Sequence, residues 1–227
     1  MSSGAVNGDI VHLFQWNHRW VELLKERNRR AAKDTYDFID KEMPNAIFCK
    51  DQFEFINSKC KDIISKNEHI LDLGVYKGAS TRRLANIFPD SVIHGFDSFE
   101  GLPGDWSHVL AGTFNDIKGL LPDMPENVIL YKGWFEDTLP KWKEKYSNGN
   151  ISLLRIDCDI YSSTKTIFNT LENMIDENTW IVFDELIGYK GWRNHEHKAF
   201  MEFIEKTGFK YEYLAYGLTH AIVRIHR

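Results

Sequence analysis

Short apolar runs alternate with amphipathic stretches through most of this chain, and this alternation limits the fold more than any other feature. Helices are predicted to begin near Ser80, Phe135 and Ser163, each between two apolar runs. Strands that alternate with helices are typical of a mostly parallel sheet, so we predict an α/β fold. The predicted strands are residues 70–73, 92–96, 128–131, 151–156 and 180–183.

The two ends of the chain extend this pattern. Residues 16–43 are predicted to form a charged amphipathic helix, because Trp20, Leu24 and Ala31 recur at helical spacing. We interpret residues 1–50 as an N-terminal helical extension that either caps the sheet or packs on a second copy in a homo-oligomer. The other predicted parts are a single α/β domain over 51–227, helices over 52–65 and 197–206, and a hairpin of strands 211–215 and 221–225.

Composition and charge exclude several classes of function. A net charge of -5 gives no basic surface for nucleic acid, and no apolar segment approaches the ~20 residues of a membrane span. The first residues lack the pattern of a signal peptide, and three cysteines without metal-type spacing are typical of a reduced compartment. We therefore expect a cytoplasmic protein that binds neither nucleic acid nor membrane. Cys158 is interpreted as a small buried filler, with a nucleophile as the alternative.

A glycine-containing turn follows the first predicted strand of the sheet. Asp72, Gly74 and Gly78 form the pattern Asp-x-Gly-x-x-x-Gly, and Ser80 and Thr81 open the next helix. Glycines at such a turn let a ligand approach the backbone, and the helix start offers free N–H groups. The central glycine of the dinucleotide fingerprint is missing, which favours a cofactor without a pyrophosphate. The alternative is an ordinary strand–helix turn.

The second predicted strand ends in an acidic residue, Asp97, which Ser98 follows. In Rossmann-like folds an acid about 20 residues beyond the glycine loop binds the ribose hydroxyls of a nucleotide. Asp97 is therefore a candidate for binding the ribose of a cofactor, and a turn or helix cap is the alternative.

Four carboxylates follow two further apolar strands. Asp157 and Asp159 come directly after residues 151–156, and Asp184 and Glu185 come directly after 180–183. The carboxyl ends of parallel strands lie at one rim of the sheet, where these groups would repel each other unless a cation neutralised them. Oxygen ligands of this kind suit Mg²⁺. The alternative is a set of helix-capping acids, which accounts for one aspartate better than for all four residues.

Three strings along the chain together resemble a known family. They are Asp72-x-Gly74-x-x-x-Gly78, then Gly95-Phe-Asp97-Ser-Phe-Glu100-Gly101-Leu-Pro103, and then Asp157-x-Asp159-x-Tyr161-x-Ser163-Thr164. In this order they resemble class I S-adenosylmethionine-dependent methyltransferases, and within them the macrocin O-methyltransferase family. The resemblance covers the chain from about residue 51 to the C-terminus. It implies a Rossmann-like, seven-stranded sheet in which an antiparallel strand is inserted beside a parallel one.

The resemblance also implies where S-adenosylmethionine would bind. The loop from Gly74 to Gly78 would carry the methionine end of the cofactor and Asp97 its ribose, while Gly133 and Trp134 would border the adenine. For Trp134, a place in the core is the alternative. The full expected cofactor set is Asp72, Gly74, Gly78, Ser80, Thr81, Asp97, Ser98, Gly133, Trp134 and Asp157.

For the acidic residues, the resemblance implies separate roles. Asp157, Asp184 and Glu185 would hold Mg²⁺, and Asp159 would be the general base that removes a proton from the acceptor hydroxyl. This chain departs from the family at one position, since the second strand ends in Asp184-Glu185 where the family usually has two aspartates. Glutamate is a methylene longer than aspartate, so the alternatives for Glu185 are contact with the metal through a water molecule or no contact at all.

The expected function is a metal-dependent O-methyltransferase whose acceptor is a hydroxyl of a sugar or another polyhydroxylated small molecule. Trp192 and His195 follow the last acidic pair and are expected to face that substrate, although a solvated helix start explains them equally well. The irregular residues 101–125 are predicted to form a lid or a static surface loop. The alternative functions are a catechol-type O-methyltransferase with the same metal geometry, or a non-catalytic module that binds the cofactor.

Overall fold

The computed structural model describes residues 6–59, 68–106 and 109–226, with side chains described from residue 19 onward. These residues contain six α-helices and eight strands, in the order expected from the sequence. The helices are α1 (Val6–Glu42), α2 (Gln52–Lys59), α3 (Ala79–Ile87), α4 (Phe135–Lys145), α5 (Tyr161–Leu171) and α6 (Glu196–Thr207). The strands are β1 (Ile47–Phe48), β2 (His69–Leu73), β3 (Ile93–Asp97), β4 (Val128–Lys132), β5 (Ile151–Ile156), β6 (Trp180–Phe183), β7 (Lys210–Tyr216) and β8 (Ala221–His226).

All described strands join one sheet in the order β1-β7-β8-β6-β5-β2-β3-β4. Every neighbouring pair is parallel except those of β8, which runs antiparallel to both β6 and β7. The predicted Rossmann-like α/β fold with an inserted antiparallel strand is therefore confirmed. The predicted count of seven strands becomes eight, because the two-residue strand β1 pairs with β7 at the edge.

The strand order reverses direction between β2 and β5, which are neighbours in the sheet although two strands separate them in the chain. All six residues of β5 are buried, as expected for a central parallel strand covered on both faces. A crevice outside the carboxyl ends of the strands at such a switch point is where open α/β sheets bind ligands. The fold thus brings the ends of β2, β3, β4, β5 and β6 to one rim.

Among the residues of α1 whose side chains are described, from residue 19 onward, those of the C-terminal part pack against the domain. Phe38 and Met43 are buried in the main core, and the backbone N–H of Gly188 donates to Thr35 Oγ1 at 3.2 Å. Farther toward the N-terminus, the side chain of Trp20 is 59% exposed. The predicted cap therefore contacts the chain's own domain through about its last two turns, and the boundary at residue 50 stays a prediction.

Both described cysteines carry free thiols. Cys158 is buried and Cys49 is half-buried, while Cys60 lies outside the described residues. Burial raises the pKa of the Cys158 thiol well above its ordinary value, and nearby Glu196 raises it further. A buried, protonated thiol fits a filler better than a nucleophile. Within the described parts of the chain, no helix combines the length and the apolar character needed to cross a membrane.

Candidate active site

A cavity of about 570 Å³ opens at the carboxyl ends of the five neighbouring parallel strands β4, β3, β2, β5 and β6. It has the size of a typical small-molecule site. Two groups of predicted residues line it together. The cofactor group contributes Gly74, Asp97, Ser98, Gly133, Trp134 and Asp157, and the acidic group contributes Asp159, Asp184 and Glu185.

Gly74 allows the ends of β2 and β5 to come together at the base of the cavity. Its φ is +110°, and a Cβ at this position would lie 1.7 Å from the backbone oxygen of Asp157. A side chain here would overlap a backbone atom that has no rotamer to change. The glycine predicted as a point of close ligand approach is therefore also required by the packing of two strand ends.

Asp97 holds the glycine loop in place. Its Oδ2 accepts hydrogen bonds from the backbone N–H groups of Val75 and Tyr76 at 2.9 and 2.7 Å, and its Oδ1 accepts from the N–H of Phe99 at 2.6 Å. A carboxylate has about four acceptor positions, so these three bonds leave capacity for a hydroxyl in the cavity. The alternative role as a turn anchor is therefore real, and it is compatible with ribose binding.

Four residues of the expected cofactor set do not line the cavity. Asp72 is fully buried behind the loop, where Thr81 Oγ1 donates to its Oδ2 at 2.6 Å. Gly78 begins α3 with a φ of +77°, and Ser80 lies half-buried in the first turn of that helix. The pair of Asp72 and Thr81 instead joins the end of β2 to the first turn of α3 and so supports the loop from behind.

Arg155, which was not predicted as a site residue, lies at the centre of the acidic residues. Its side chain is 1% exposed, and its guanidinium donates to Asp72 Oδ1 at 2.9 Å, to Asp157 Oδ2 at 2.9 Å and to Asp184 Oδ1 at 2.7 Å. A single charged residue inside the mostly apolar strand β5 was the signal for it, because a buried charge requires partners. The guanidinium of Arg155 therefore supplies part of the positive charge that the clustered aspartates require.

Asp159 and Glu185 form a carboxyl pair on the cavity wall. Asp159 is 7% exposed and has a φ of 65°, in the left-handed region. Burial, the hydrogen bond with Asp159 and the neighbouring acidic charges together raise the pKa of Glu185 from 4.5 to about 11. Burial also raises the pKa of Asp159, although the bond with Glu185 opposes this. The pair therefore shares a proton at neutral pH, since two adjacent buried carboxyl groups do not both ionise.

A fifth acid, Glu196, lies beside this pair and was not predicted. It is fully buried at the start of α6, where its Oε2 accepts a 3.4 Å hydrogen bond from the backbone N–H of Glu185. Its Oε1 is buried without a hydrogen-bond partner in the described residues. Burial raises the pKa of Glu196 well above its ordinary value, and the nearby charges of Asp159 and Asp157 raise it further. In the sequence, the signal that could have identified Glu196 was its place directly after the candidate residue His195.

The donor chemistry of these acids fits a hard divalent cation. Arg155 uses one oxygen of Asp157 and one of Asp184, so each aspartate keeps a second carboxylate oxygen outside that contact. Glu185 Oε2 is buried without a hydrogen-bond partner in the described residues. In the described part of the chain, however, no three His, Cys, Asp or Glu side chains are arranged around a common point as metal ligands.

The two residues expected to face the substrate lie in different surroundings. Trp192 is 1% exposed and packs on Phe38, with ring centroids 4.9 Å apart. It belongs to the core rather than to the cavity lining, because the C-terminal part of α1 covers it. His195 is half-buried and 6.1 Å from the ring of Tyr189, which in turn packs on the cavity residue Trp106.

Residues 101–125 border the cavity, and Leu102, Pro103, Trp106 and Phe114 line it. The segment is anchored to the glycine loop, since the hydroxyl of Tyr76 donates to Asp116 Oδ1 at 2.6 Å. The rings of Tyr76 and Phe114 also lie edge to face, with centroids 5.3 Å apart. A segment that touches the loop and the cavity together is placed as a lid would be, and its movement stays a prediction.

Comparison with known proteins decides the family. A model of a methyltransferase domain matches residues 71–186, which include the glycine loop and all four predicted acids. The chain belongs to this methyltransferase domain family. The resemblance to class I methyltransferases, stated above from three motifs, is thereby confirmed.

A curated relative and two solved structures are similar to this methyltransferase domain. The relative, from Streptomyces olivaceus, is 8-demethyl-8-(2,3-dimethoxy-alpha-L-rhamnosyl)-tetracenomycin-C 4'-O-methyltransferase, 29% identical over 147 residues. CalS11, the calicheamicin methyltransferase, has a TM-score of 0.61 at 19% identity, covering 76% of this chain and 77% of that one. MycE from the mycinamycin pathway, in complex with Mg and SAH, has a TM-score of 0.52 at 17% identity, covering 77% and 49%. The two structures show that the fold is shared.

The match with the curated relative extends over 51% of this chain and 52% of the relative. The chain therefore spans about half the length of the curated protein that it matches. The residues that line the cavity all lie within the part of the chain that matches the methyltransferase domain.

Proposed function

We propose that this protein is an S-adenosylmethionine-dependent O-methyltransferase that acts on a hydroxyl of a sugar or another polyhydroxylated small molecule. One observation carries the proposal. A single cavity is lined both by the glycine loop with Asp97 and Trp134 and by the acids Asp159 and Glu185. Methyl transfer to oxygen needs a cofactor site and a proton acceptor within reach of each other.

In the proposed arrangement, Gly74 admits the methionine end of the cofactor, Asp97 accepts a ribose hydroxyl and Trp134 lies against the adenine. S-adenosylmethionine, when bound, supplies a sulfonium methyl group: the acceptor oxygen forms the new C–O bond as the C–S bond breaks, leaving S-adenosylhomocysteine. Asp159 takes the hydroxyl proton of the acceptor. In the metal-free protein Glu185 shares a proton with Asp159 and holds that carboxyl group in place.

We propose that Mg²⁺ is held by Asp157, Asp184 and Glu185. The support is the set of carboxylate oxygens outside the Arg155 contact together with the unpartnered Glu185 Oε2. Bound there, the cation would make a coordinated acceptor hydroxyl more acidic, as it does a bound water. The methylene that Glu185 has beyond an aspartate gives its carboxylate the reach to turn from Asp159 toward the ion.

The sugar-like acceptor is supported by the rhamnosyl-tetracenomycin O-methyltransferase that this chain resembles. Trp106 is the candidate to meet that acceptor because it lines the cavity, and Tyr189 and His195 would support its ring from behind. We further propose residues 1–50 as the helical extension and residues 51–227 as the catalytic domain. A cytoplasmic location stays a prediction.

Calorimetric titration tests the cofactor first. We expect micromolar binding of S-adenosylhomocysteine and none of NAD, and the reverse result would contradict the proposal. Methyl transfer is then measured by mass spectrometry against a panel of sugar, nucleotide-sugar and catechol acceptors, with Mg²⁺ and with EDTA. Products from the sugars alone, lost in EDTA, support the full proposal. Products from catechols alone would reassign the acceptor, and binding without any product would indicate a non-catalytic module.

A further inference from the structure

Arg155 is the one fully charged side chain in the six-residue strand β5, and it is buried. A buried guanidinium is costly unless each of its donor groups finds an acceptor. Here the side chain reaches four acceptors, each on a different element or loop: Asp72 on β2, Asp157 after β5, Asp184 after β6 and Gln52 on α2. The contacts therefore connect the cofactor loop to both acidic strand ends.

The contacts are selective for single oxygen atoms. Nη2 of Arg155 bonds Oδ2 of Asp157 at 2.9 Å and Oδ1 of Asp184 at 2.7 Å, so one nitrogen joins the two carboxylates. Because a carboxylate group is planar, a hydrogen bond that holds one of its oxygens also restricts the position of the other oxygen. Because Asp157 and Asp184 line the cavity, this shared nitrogen restricts how both carboxylates face a ligand there.

Gln52 holds the arginine and one aspartate at the same time. Its Oε1 accepts from Arg155 Nε at 3.3 Å, and its Nε2 donates to Asp184 Oδ1 at 2.5 Å. The side chain is 7% exposed, so water does not compete strongly for these bonds. Gln52 thus limits the movement of Arg155 away from Asp184.

We propose that Arg155, held by Gln52, is a positioning residue that orients Asp157 and Asp184 for the cation and the acceptor. This inference rests on the proposed function of the same site. On the opposite side of the guanidinium, Nη1 bonds Asp72, which also accepts from Thr81 at the start of α3. Arg155 therefore keeps the acidic rim in a constant position relative to the loop that would carry the cofactor.

A lysine at this position would not reproduce the arrangement. Its ammonium is a compact charge, whereas the planar guanidinium presents donors in three directions at fixed angles. Arg155→Lys therefore keeps the positive charge but loses the simultaneous contacts with Asp72, Asp157 and Asp184. We expect the half-saturating Mg²⁺ concentration to rise and kcat to fall, each by about 10- to 100-fold, the range found when partners that orient metal ligands are removed.

The experiment compares Arg155→Lys and Gln52→Leu with the control Arg83→Lys. Arg83 is half-exposed and bonds Asp51, the residue before Gln52, so its replacement tests the loss of a guanidinium near α2 that does not contact the cavity acids. Three quantities are measured for each variant: the Tm, S-adenosylhomocysteine affinity by calorimetry, and Mg²⁺ affinity of the cofactor complex. Gln52→Leu keeps Arg155 and decides the question if Arg155→Lys does not fold.

Weakened Mg²⁺ binding in Arg155→Lys and Gln52→Leu, with S-adenosylhomocysteine affinity within about threefold of the wild type and of Arg83→Lys, supports the positioning role. Unchanged Mg²⁺ affinity, or a parallel loss of Tm and of both affinities, would assign Arg155 to stability alone and overturn it. Absence of Mg²⁺ binding by the wild-type protein would overturn it as well. If the wild-type protein binds Mg²⁺ and S-adenosylhomocysteine but transfers no methyl group, the proposed function is refuted. The Mg²⁺ affinities of the variants then still decide the role of Arg155.

Discussion

The carboxyl groups of Asp159 and Glu185 hydrogen-bond to each other on the wall of the cavity. The two residues follow different strands of the sheet, and the left-handed φ of Asp159 directs its side chain into this contact. Non-glycine residues in that region carry strain of about 1–3 kcal/mol and are concentrated at functional sites. A buried carboxyl pair with one proton is a group that can accept a proton and return it, as methylation of a hydroxyl requires.

Asp159→Asn is expected to reduce methyl transfer by about 100- to 10,000-fold, the range of a general base. Asparagine tolerates the left-handed backbone conformation, so the fold should persist. Single-turnover product formation measures the chemical step, and calorimetry with S-adenosylhomocysteine serves as the control, with affinity unchanged. Turnover at the wild-type rate would remove Asp159 from the role of base.

Glu185→Gln is expected to raise the Tm of the metal-free protein, and the gain should grow between about pH 5 and about pH 9. Folded Glu185 has its pKa raised from 4.5 to about 11 by burial and by Asp159. Between those values the folded state binds more protons than the unfolded state, so the contribution of this group to stability falls as the pH rises. Glutamine is neutral in both states and lacks this loss.

Mg²⁺ provides the matched control for this prediction. At neutral pH the ion should raise the Tm of the wild-type protein, because it binds the folded state through Glu185, and it should raise that of Glu185→Gln by less. A Tm difference between the two proteins that is constant with pH would contradict the raised pKa of Glu185. Thermal scans at several pH values, with Mg²⁺ and with EDTA, measure both effects.

Gly74→Ala is expected to destabilise the protein by about 3 kcal/mol, because its Cβ would overlap a backbone oxygen. For a chain of this length the Tm would fall by about 6–12 °C, and S-adenosylhomocysteine binding should be lost. Gly104→Ala is the control, since a Cβ at that position would meet Ile160 Cδ1 at an ordinary 3.8 Å. Equal Tm values for the two variants would show that the loop relaxes.

Trp134→Ala is expected to weaken S-adenosylhomocysteine binding by about 5- to 150-fold, as the loss of one base–aromatic stack of about 1–3 kcal/mol. Trp134 lines the cavity at the end of β4. Trp20→Ala removes an indole that is 59% exposed on α1 and should leave the affinity unchanged. Calorimetry measures both variants, and wild-type affinity in Trp134→Ala would assign this indole to packing.

Much of this protein could be predicted from local patterns. The apolar runs became strands within one or two residues of their predicted bounds, since a short buried run between polar turns has few other structures open to it. The same patterns predicted that Gly74, Asp97, Asp157 and Asp184 lie at one rim of the sheet, because each comes at the carboxyl end of a parallel strand. The pairing of neighbouring strands brings their ends together, and this does not depend on the conformations of the side chains.

Local patterns did not predict the side-chain contacts between segments that are far apart in the chain. Trp192 and His195 are three positions apart, yet the helix α1 buries one and leaves the other near the cavity. Glu196 was not predicted as a site residue, and it is fully buried beside the acids. The ladder places Arg155 opposite Asp72, and the chain separates them by 83 positions.

The sequence by itself determined the order of strands and helices and the rim where the acids gather, because hydrophobic periodicity and turn residues act locally. Only the tertiary structure decided how those acids share charge. Arg155 neutralises Asp157 and Asp184 in part, while Asp159 and Glu185 share a proton. Which carboxylate remains free for a cation or a substrate depends on distances and burial between segments far apart in the chain, and no local pattern encodes them.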